Sequence, residues 1–556
     1  MADLLTLAML ARVDYCIIIV YLLLVVLIGF ASARKQFSDR DYFLGGGNMP
    51  TWAVSLSVLA TSLSAATFVG VPQFSFSADL SYLILIPGGL IAVSIVAFFF
   101  IPAFYRAGTL TIYGLLEKRF GSDASYAVSI TFLIGRLLAS GARLFIAAIP
   151  VTLILFGVEG ITVKHTVLAV IILGLVGTAY TLMGGIRAVI WTDVLQFFIL
   201  LGAGILTMVL LFRDIPLPPA EIAEVLTHGG EFVENKLNIV STSTNIGASY
   251  TVWTGFFAIV FLNMASYGVD HDLVQRMLTC SSPLRGGMAL IVSNLLGIPV
   301  VFLFLIIGLL LYVYYSLPEV MGDARPMDMI EGSVQIFPQY ILNHLPPGAK
   351  GLAMAGIFAA AMSSFDSAVN AMAASFIADV QPHLGEKLRN FIRITAKAEE
   401  ASPKIESASV INKSDSLSEE GHKEIGITSS RITVLGMGLL LTLFACVAAV
   451  TYDPDRDTLI GFALGVMSYA YAGMLGVFLT ALFTRRGNSS TVICALCVGA
   501  GVVLLLQPSI FGRLTYKYFG MVYNVAFPWW MVLGTTASFI VCVLGKPMDN
   551  KEQSTS

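Results

Sequence analysis

The segment GLAMAGIFAAAMSSFDSAVN, residues 351–370, is apolar and long enough for a helix, but one of its faces is polar. That face carries residues that recur at spacings of three and four, namely Ala360, Ser363, Ser364 and Ser367. Asp366 lies beside it, and a carboxylate in a membrane helix is costly enough to indicate a functional site. Hydroxyl and carboxylate oxygens suit a hard cation. The serines alone favour helix packing over ion binding, whereas Asp366 favours the ion.

The composition is that of a helical membrane protein. Of the 556 residues, 57% are hydrophobic and 12% are charged, about half the charged share of a soluble domain. Mean hydropathy is +0.83, so we predict an all-α protein embedded in a lipid bilayer. The net charge is −3 without a basic block, which gives no indication of nucleic-acid binding. The sequence has no G-x-x-x-x-G-K-[ST], H-E-x-x-H or G-x-S-x-G motif, so neither an ATP-driven pump nor an enzyme is predicted.

Thirteen apolar runs predict thirteen transmembrane helices. They lie at about 13–32, 51–73, 80–105, 122–156, 162–183, 186–212, 247–269, 285–315, 347–378, 430–452, 458–484, 489–507 and 525–545. Of the 32 lysines and arginines, 21 fall in the connections on one side and nine in those on the other. The positive-inside rule therefore places the N-terminus outside and the C-terminus in the cytoplasm.

The second predicted span, 51–73, changes character half-way along. It is apolar as far as Leu59, then small and polar over 60–67, and Gly70 and Pro72 follow. Such a helix is a candidate for unwinding at mid-membrane, where freed backbone carbonyls can coordinate a cation. A serine-rich packing helix with an ordinary C-terminal stop explains the pattern equally well.

Two arginines lie within the fourth predicted span. Arg136 and Arg143 are seven residues, or two helical turns, apart and therefore share one face. Guanidinium groups at membrane depth need partners, and one use is a bidentate clamp on the carboxylate of a bound solute. The alternatives are that one or both pair with an acid of the protein or reach the membrane interface.

Other polar features interrupt or follow the apolar segments. Asp193 lies about two turns into the sixth span with no basic residue nearby in the sequence, which favours a cation as its partner. Gly184 and Gly185 predict a tight turn just before that span. The polar cluster at 270–276 follows the seventh span, and we predict a cytoplasmic connection there with His271 as a solvated loop residue.

Five ordered motifs together resemble the sodium:solute symporter family, and the resemblance covers about residues 13–545. They are DYFLGGGNMPTWAVSLSVLATSLSAATF (41–68), YTLMGGIRAVIWTDVLQ (180–196), DLVQRML (272–278), GIFAAAMSSFDSAVNA (356–371) and GMLGVFLTALFTRRGN (473–488). The family includes transporters for glucose, proline, pantothenate, choline and sialic acid, and the bacterial sialic acid members look most similar.

The resemblance implies a LeuT-type membrane fold made of two inverted repeats of five helices, with solute and ions at the repeat interface. It divides the chain into a first helix and connection (1–50), repeat 1 (51–213), an extracellular loop (214–246), repeat 2 (247–484) with a flexible cytoplasmic loop (380–430), two additional helices (485–545) and a cytoplasmic tail (546–556).

The resemblance also implies two Na+ sites. The main site would use the backbone carbonyls of Ala60, Leu63 and Ala360 with the hydroxyls of Ser363 and Ser364. A second site would use Asp193, Ser363, Asp366 and Ser367. This chain has Asp366 where the sialic acid members have Ser, so a second ion would be held more strongly or one acid would carry a proton.

The solute would contact side chains of the second, third and fourth spans. These are Ser62, Ser64, Thr67, Tyr82 and one of the pair Arg136 and Arg143. Ile86 stands where the sialic acid members have Gln, which favours a less hydroxylated solute.

The predicted function is Na+-coupled import of a small organic solute by alternating access. The solute is expected to be anionic (sialic acid, another carboxylate or a sugar-like acid), carried with one or two Na+ ions. We expect a monomer in the plasma or inner membrane. The alternatives are a solute-binding sensor or receptor of the same fold and, as a third hypothesis, an ion channel.

Overall fold

The computed structural model describes residues 10–33, 39–156, 162–227, 235–322, 336–385, 427–451 and 459–546. Helices make up most of these ranges, and no β-strand occurs within them. A helix satisfies its backbone hydrogen bonds internally, as a segment in a lipid bilayer must. Most of the predicted loop at 380–430 and nearly all of the tail at 546–556 lie outside the described residues.

The first half of the chain contains long and short helices, among them a pair broken near residue 63. They are α1 (Arg12–Ala33), α2 (Asp39–Leu44), α3 (Thr51–Ser62), α4 (Ala65–Ser77), α5 (Leu85–Ile95), α6 (Ile101–Ala107), α7 (Gly114–Phe120), α8 (Ser122–Phe156), α9 (Val163–Asp214) and α10 (Pro219–Thr227). A π-helical turn, Val96–Phe100, joins α5 to α6 into one span.

The second half contains long helices and several short ones between them. They are α11 (Ile259–Gly268), α12 (His271–Leu278), α13 (Pro283–Ser316), α14 (Pro318–Met321), α15 (Ile336–His344), α16 (Ala349–Ser375), α17 (Ile427–Thr451), α18 (Leu459–Phe483), α19 (Ser489–Leu505), α20 (Pro508–Phe519) and α21 (Phe527–Val543). A π-helical turn, Thr254–Ala258, precedes α11, and another, Phe376–Val380, extends α16.

Each of the thirteen predicted spans coincides with a helix, a helix pair or one of the two halves of α9. In the described ranges, eight helices are long and apolar enough to cross a membrane, two bent pairs meet the same test together, and three shorter apolar helices remain. The correspondence confirms the prediction of a polytopic α-helical membrane protein.

The second span is broken where its sequence becomes polar. Leu63 leaves the helical region (φ −82°, ψ 86°), Ser64 is extended, and the two arms are bent by 58°. The break precedes Gly70 and Pro72, which both lie inside α4. The predicted unwinding is confirmed, and its position is set by the Ser- and Ala-rich stretch rather than by the glycine and the proline.

Gly185 separates the two spans within α9. Its backbone has φ +52° and ψ −160°, a region that L side chains rarely adopt. The predicted tight turn at Gly184 and Gly185 is therefore confirmed, and only glycine meets the requirement at 185 without strain.

Helix α16 lies at the centre of the molecule. Of its 27 residues, 24 are buried, and it packs against α9, α8, α1 and α3. Small residues permit this close packing: a Cβ atom at Gly177 of α9 would lie 2.5 Å from Phe365. By contrast, α1 is peripheral, with Leu23 and Leu27 exposed by 56% and 60%. The polar stripe of α16 is thus enclosed by protein.

Candidate functional site

A cavity of about 290 Å³ lies beside the break between α3 and α4. Its other walls come from α5, α8, α11 and α13. It is lined by all six residues expected to contact the solute: Ser62, Ser64, Thr67, Tyr82, Arg136 and Arg143. Ile86 lines it as well, and so do Leu85 and Leu90. The cavity therefore combines an apolar wall with a few convergent polar groups, as ligand sites of proteins do.

Arg136 is neutralised by acids of the protein. Its Nη1 atom donates to Asp270 Oδ2 at 2.8 Å, and Nη2 donates to Asp272 Oδ2. Tyr471 also donates to Asp270 Oδ2, at 2.7 Å. The three charged side chains are 0–1% exposed. Of the alternatives open for Arg136, pairing with protein acids is the one observed.

Arg143 has a different environment. Its Nη2 atom donates to Met467 Sδ at 3.0 Å, a weak acceptor. Within the described part of the chain no carboxylate lies within ion-pair distance of it. Arg143 is therefore the guanidinium on this wall that remains available for an anionic ligand.

The polar stripe of α16 faces α3, the first helix of the broken pair. Thr61 Oγ1 lies 3.5 Å from both Ser363 Oγ and Ser367 Oγ. Ser364 is 2% exposed, and its hydroxyl has no hydrogen-bond partner in the described ranges. Burial of an unpaired hydroxyl is unfavourable, so Ser364 Oγ fits a ligand position for a cation at the break.

Asp193, for which the sequence favours a cation as partner, pairs with a guanidinium of the chain. Arg276, which is distant in sequence, donates from Nη2 to Asp193 Oδ2 at 3.2 Å. The same Nη2 atom donates to Ser367 Oγ. A guanidinium of the chain therefore lies between two of the four residues expected to form a second Na+ site.

Asp366 is fully buried and makes no direct hydrogen bond with that guanidinium among the described contacts. Its Oδ2 atom accepts a hydrogen bond from Tyr180 at 2.9 Å, and Oδ1 accepts one from the backbone N–H of Ser367 at 2.6 Å. Among the described residues, its hydrogen-bond donors are all neutral. Asp193 and Asp366 therefore accept from different donors: Asp193 from Ser57, Arg276 and Ser363, and Asp366 from Tyr180 and Ser367.

The charged cluster at 270–276 is buried, so the prediction that His271 is a solvated loop residue is wrong. The segment forms the N-terminal part of α12, capped by the Asp270 side chain, and His271 and Arg276 are both 0% exposed. Burial among Tyr113 and Phe132 lowers the pKa of His271 to about 3. Asp272 and Arg276 pair at i and i+4, and the remaining charges find partners on other helices.

Comparison with known proteins defines the family. The model of the sodium:solute symporter family matches residues 42–390. This chain belongs to the sodium:solute symporter family. It is therefore a transporter rather than an enzyme, and Na+ is its co-transported ion.

Two bacterial relatives match nearly the whole length of this symporter. It is 25% identical to the sodium/sialic acid symporter SiaT of Proteus mirabilis, over 98% of both chains. It is 27% identical to the sodium/sialic acid symporter NanT of Aliivibrio fischeri, over 96% of this chain and 93% of that one. The solved outward-open, substrate-bound structure of a Na+-coupled sialic acid symporter superposes with a TM-score of 0.73 at 23% identity, covering 96% of this chain and 97% of that one. That likeness confirms the LeuT-type fold.

Several residues of the symporter's core could not be assigned a partner from the sequence. Ser57, Tyr180, Arg276 and Tyr471 bind the buried acids, yet each lies far from its partner along the chain. The cavity also includes Asn263, Ser266 and Tyr267, which interrupt an apolar run, and Ser293 and Asn294 of α13. Of these pairings, the sequence indicated only that of Asp272 with Arg276, which are spaced i and i+4 inside DLVQRML.

Proposed function

We propose that this symporter imports a small organic anion whose acidic group binds Arg143. The observation that carries the proposal is a guanidinium in the wall of the cavity with no carboxylate of the described chain beside it. Arginine suits this role because its planar fork matches a carboxylate. The relatives SiaT and NanT are named for sialic acid, a carboxylic acid, which supports an acidic solute.

The main Na+ site, in this proposal, lies between the break of the second span and α16. The ligands are the carbonyls of Ala60, Leu63 and Ala360 with the hydroxyls of Ser363 and Ser364. The break supports it because the last carbonyls of a helix lose their i+4 partners. The unpaired hydroxyl of Ser364 supports it as well.

For a second Na+ we propose the set Asp193, Ser363, Asp366 and Ser367, reached only when Arg276 moves. Arg276 already bonds Asp193 and Ser367. Asp366 is the acid of the set without a cationic hydrogen-bond donor, so a second cation depends on it above all.

The energetics favour more than one cation for each anion. Each charge moved gains about 2.3 kcal/mol per 100 mV. One Na+ with a monovalent anion moves no net charge and draws only on the Na+ concentration gradient. Two Na+ ions with that anion move one net charge. A membrane potential of ~100 mV then raises the maximal ratio of solute concentrations across the membrane roughly fortyfold.

The remaining features of the proposal concern the whole molecule. The repeats are 51–213 and 247–484, the N-terminus is outside, the C-terminus is cytoplasmic, and the monomer in the plasma or inner membrane is the working unit. The distribution of lysine and arginine supports this orientation.

Uptake by purified protein in proteoliposomes tests the proposal. Labelled sialic acid and a panel of smaller carboxylates are added under an inward Na+ gradient, an inward K+ gradient, and Na+ with the gradient collapsed. We expect accumulation of at least one acid only under the Na+ gradient. Saturable binding of an acid without any Na+-driven uptake would instead favour a sensor of the same fold.

A further inference from the structure

Arg276 connects four helices through a single guanidinium group. Nε donates to Ser57 Oγ of α3 at 2.9 Å, and Nη1 donates to Asp272 of its own helix, to Oδ1 at 2.8 Å and to the backbone oxygen at 2.7 Å. Nη2 donates to Asp193 of α9 and Ser367 of α16. All five N–H groups are used and the side chain is 0% exposed. Such a group has few alternative positions.

On one side, the hydrogen bonds of Arg276 continue through Asp193 to the proposed main Na+ site. Asp193 Oδ1 accepts from Ser363 Oγ at 2.5 Å, and Asp193 Oδ2 accepts from Ser57 Oγ at 2.5 Å. Ser367 Oγ donates to the carbonyl of Ser363. A cation that takes Ser363 Oγ as a ligand would direct its hydroxyl hydrogen towards Asp193 and so favour the geometry that holds Arg276.

On the other side, the hydrogen bonds of Arg276 continue through Asp272 to the wall of the solute cavity. Asp272 accepts from Arg276 through Oδ1 and from Arg136 through Oδ2. Arg136 continues to Asp270, and both Arg136 and Asp270 line the cavity. The hydrogen bonds therefore run without interruption from Ser363 to the surface that a solute would contact.

The formal charges along and beside these hydrogen bonds sum to −1. The described ionisable groups there are four carboxylates and three guanidiniums: Asp193, Asp270, Asp272, Asp366, Arg136, Arg143 and Arg276. A buried uncompensated charge is unfavourable, and either a bound cation or a proton on one carboxylate would neutralise it. A Na+ ion at the main site would place a positive charge beside Ser363 and Asp193 and so favour the arrangement in which Asp193 holds Arg276.

We infer that Arg276 is the positioning residue that couples the Na+ site to the solute cavity, by holding Asp193 and Asp272 in one continuous chain of hydrogen bonds. The inference rests on the proposed main Na+ site. Arg276 touches neither ligand. It lies on α12, whereas Ser57, Asp193 and Ser367 lie on α3, α9 and α16, so a shift of α12 against those three helices breaks its bonds to all three together. A set of bonds that is either wholly made or broken is the two-state element that coupling requires.

The test uses a reporter in the cavity and Na+ as the only ligand. Ser266 is replaced by Cys, and its modification by the anionic reagent 2-sulfonatoethyl methanethiosulfonate is followed by mass spectrometry with Na+ or with K+. The native cysteines give separate peptides. Two variants interrupt the series of hydrogen bonds. Ser57→Ala removes one hydrogen-bond partner of Arg276 with a small change of volume, and Arg276→Gln removes the guanidinium itself.

Ser55→Ala is the matched control. Ser55 lies on the same helix, is equally buried, and donates only to Thr51 of its own helix among the described residues, at 2.9 Å. We expect Na+ to change the reporter's rate by about fivefold or more in the parent and in Ser55→Ala, within the usual range of coupling. The effect should fall below about twofold in Arg276→Gln and to an intermediate value in Ser57→Ala.

A second readout separates coupling from folding and from ion binding. Na+ should still raise the melting temperature of Ser57→Ala, with a half-saturating concentration within about threefold of the parent value, because Ser57 is not an ion ligand. If Na+ affects the reporter equally in all variants, the coupling role of Arg276 is overturned and the Na+ site stands. If Na+ affects neither reporter nor melting temperature in the parent, the proposed ion site itself is overturned.

Discussion

Arg136 and Arg143 lie two turns apart on α8 and line the same cavity, yet only Arg136 is paired with carboxylates. Arg136 holds two acids at the junction of α11 and α12, whereas the one described hydrogen bond of Arg143 goes to a methionine sulfur. The same residue type therefore serves two purposes within one helix. One arginine fixes the structure beneath the cavity, and the other presents a free charge to it.

We predict that Arg143→Gln weakens binding of the anionic solute by about 10- to 150-fold, the value of a lost hydrogen bond to a charged group. The melting temperature in the absence of solute should change little. Arg136→Gln should instead lower the stability by about 3–5 kcal/mol, because two buried carboxylates lose their partner. Solute titrations and thermal unfolding of both variants distinguish the roles. If both variants lost the same solute affinity and Arg136→Gln lost no stability, the separate roles of the two arginines would be contradicted.

Ser364→Ala should raise the Na+ concentration needed for half-maximal uptake by about tenfold, since one ligand oxygen is removed from the main site. Ser140→Ala is a suitable control. Ser140 is 2% exposed, and its hydroxyl likewise has no partner in the described ranges, but it does not line the cavity. The measurement is Na+ dependence of uptake at fixed solute. An unchanged Na+ dependence in Ser364→Ala would show that the main ion site is elsewhere.

The sequence predicted local features well and distant pairings poorly. The break at Leu63 and the turn at Gly185 follow from residues within a few positions of each, and both were predicted. The pairing of Asp193 with Arg276 depends on how α9 and α12 pack, and no local pattern contains that information. For the same reason residues 270–276 look like a solvated loop: their charges are compensated only by side chains on other helices.

Lys236 predicts a pH dependence of stability. Its ammonium donates to the Phe76 carbonyl at 2.6 Å and lies 4.0 Å from the ring of Tyr312, and burial lowers its pKa from 10.5 to about 8, with Asp79 opposing the shift. The folded state therefore loses this proton at a lower pH than the unfolded state does. The contribution of Lys236 to the free energy of unfolding therefore rises as pH increases from about 8 to 10.5. It is lost as pH falls through 8.

In Lys236→Met that contribution is absent. The melting temperature of the parent relative to the variant should therefore increase between pH 7.5 and pH 9.5. Lys517→Met, which removes an exposed lysine of α20, serves as control and should show no such trend. A difference between parent and Lys236→Met that stays constant over this range would refute the prediction.

Asp14 caps the N-terminus of α16 from a different helix. Its Oδ1 atom accepts from the backbone N–H groups of Gly348 and Gly351, both at 2.7 Å. Asp14→Ala should cost about 1–3 kcal/mol, because helix N–H groups are left without acceptors. Asp123→Ala, at an acid whose side chain is 61% exposed, should cost far less. Thermal unfolding compares the two, and similar losses would exclude a special role for the cap.

Asp366 should set the number of charges moved with each solute molecule. It is a buried carboxylate whose described donors are all neutral. We expect Asp366→Ser to reduce the net charge moved per solute by about one, because the variant no longer holds a second cation. Tyr180→Phe is the control, since it removes the hydrogen bond to Asp366 Oδ2 but keeps the carboxylate. The ratio is obtained from net solute flux in proteoliposomes measured at a series of membrane potentials: the parent flux should reverse at one potential, and the flux of Asp366→Ser should no longer depend on potential. If Asp366→Ser keeps both the parent's ratio and its Na+ affinity, Asp366 serves only to join α16 to α9 through Tyr180.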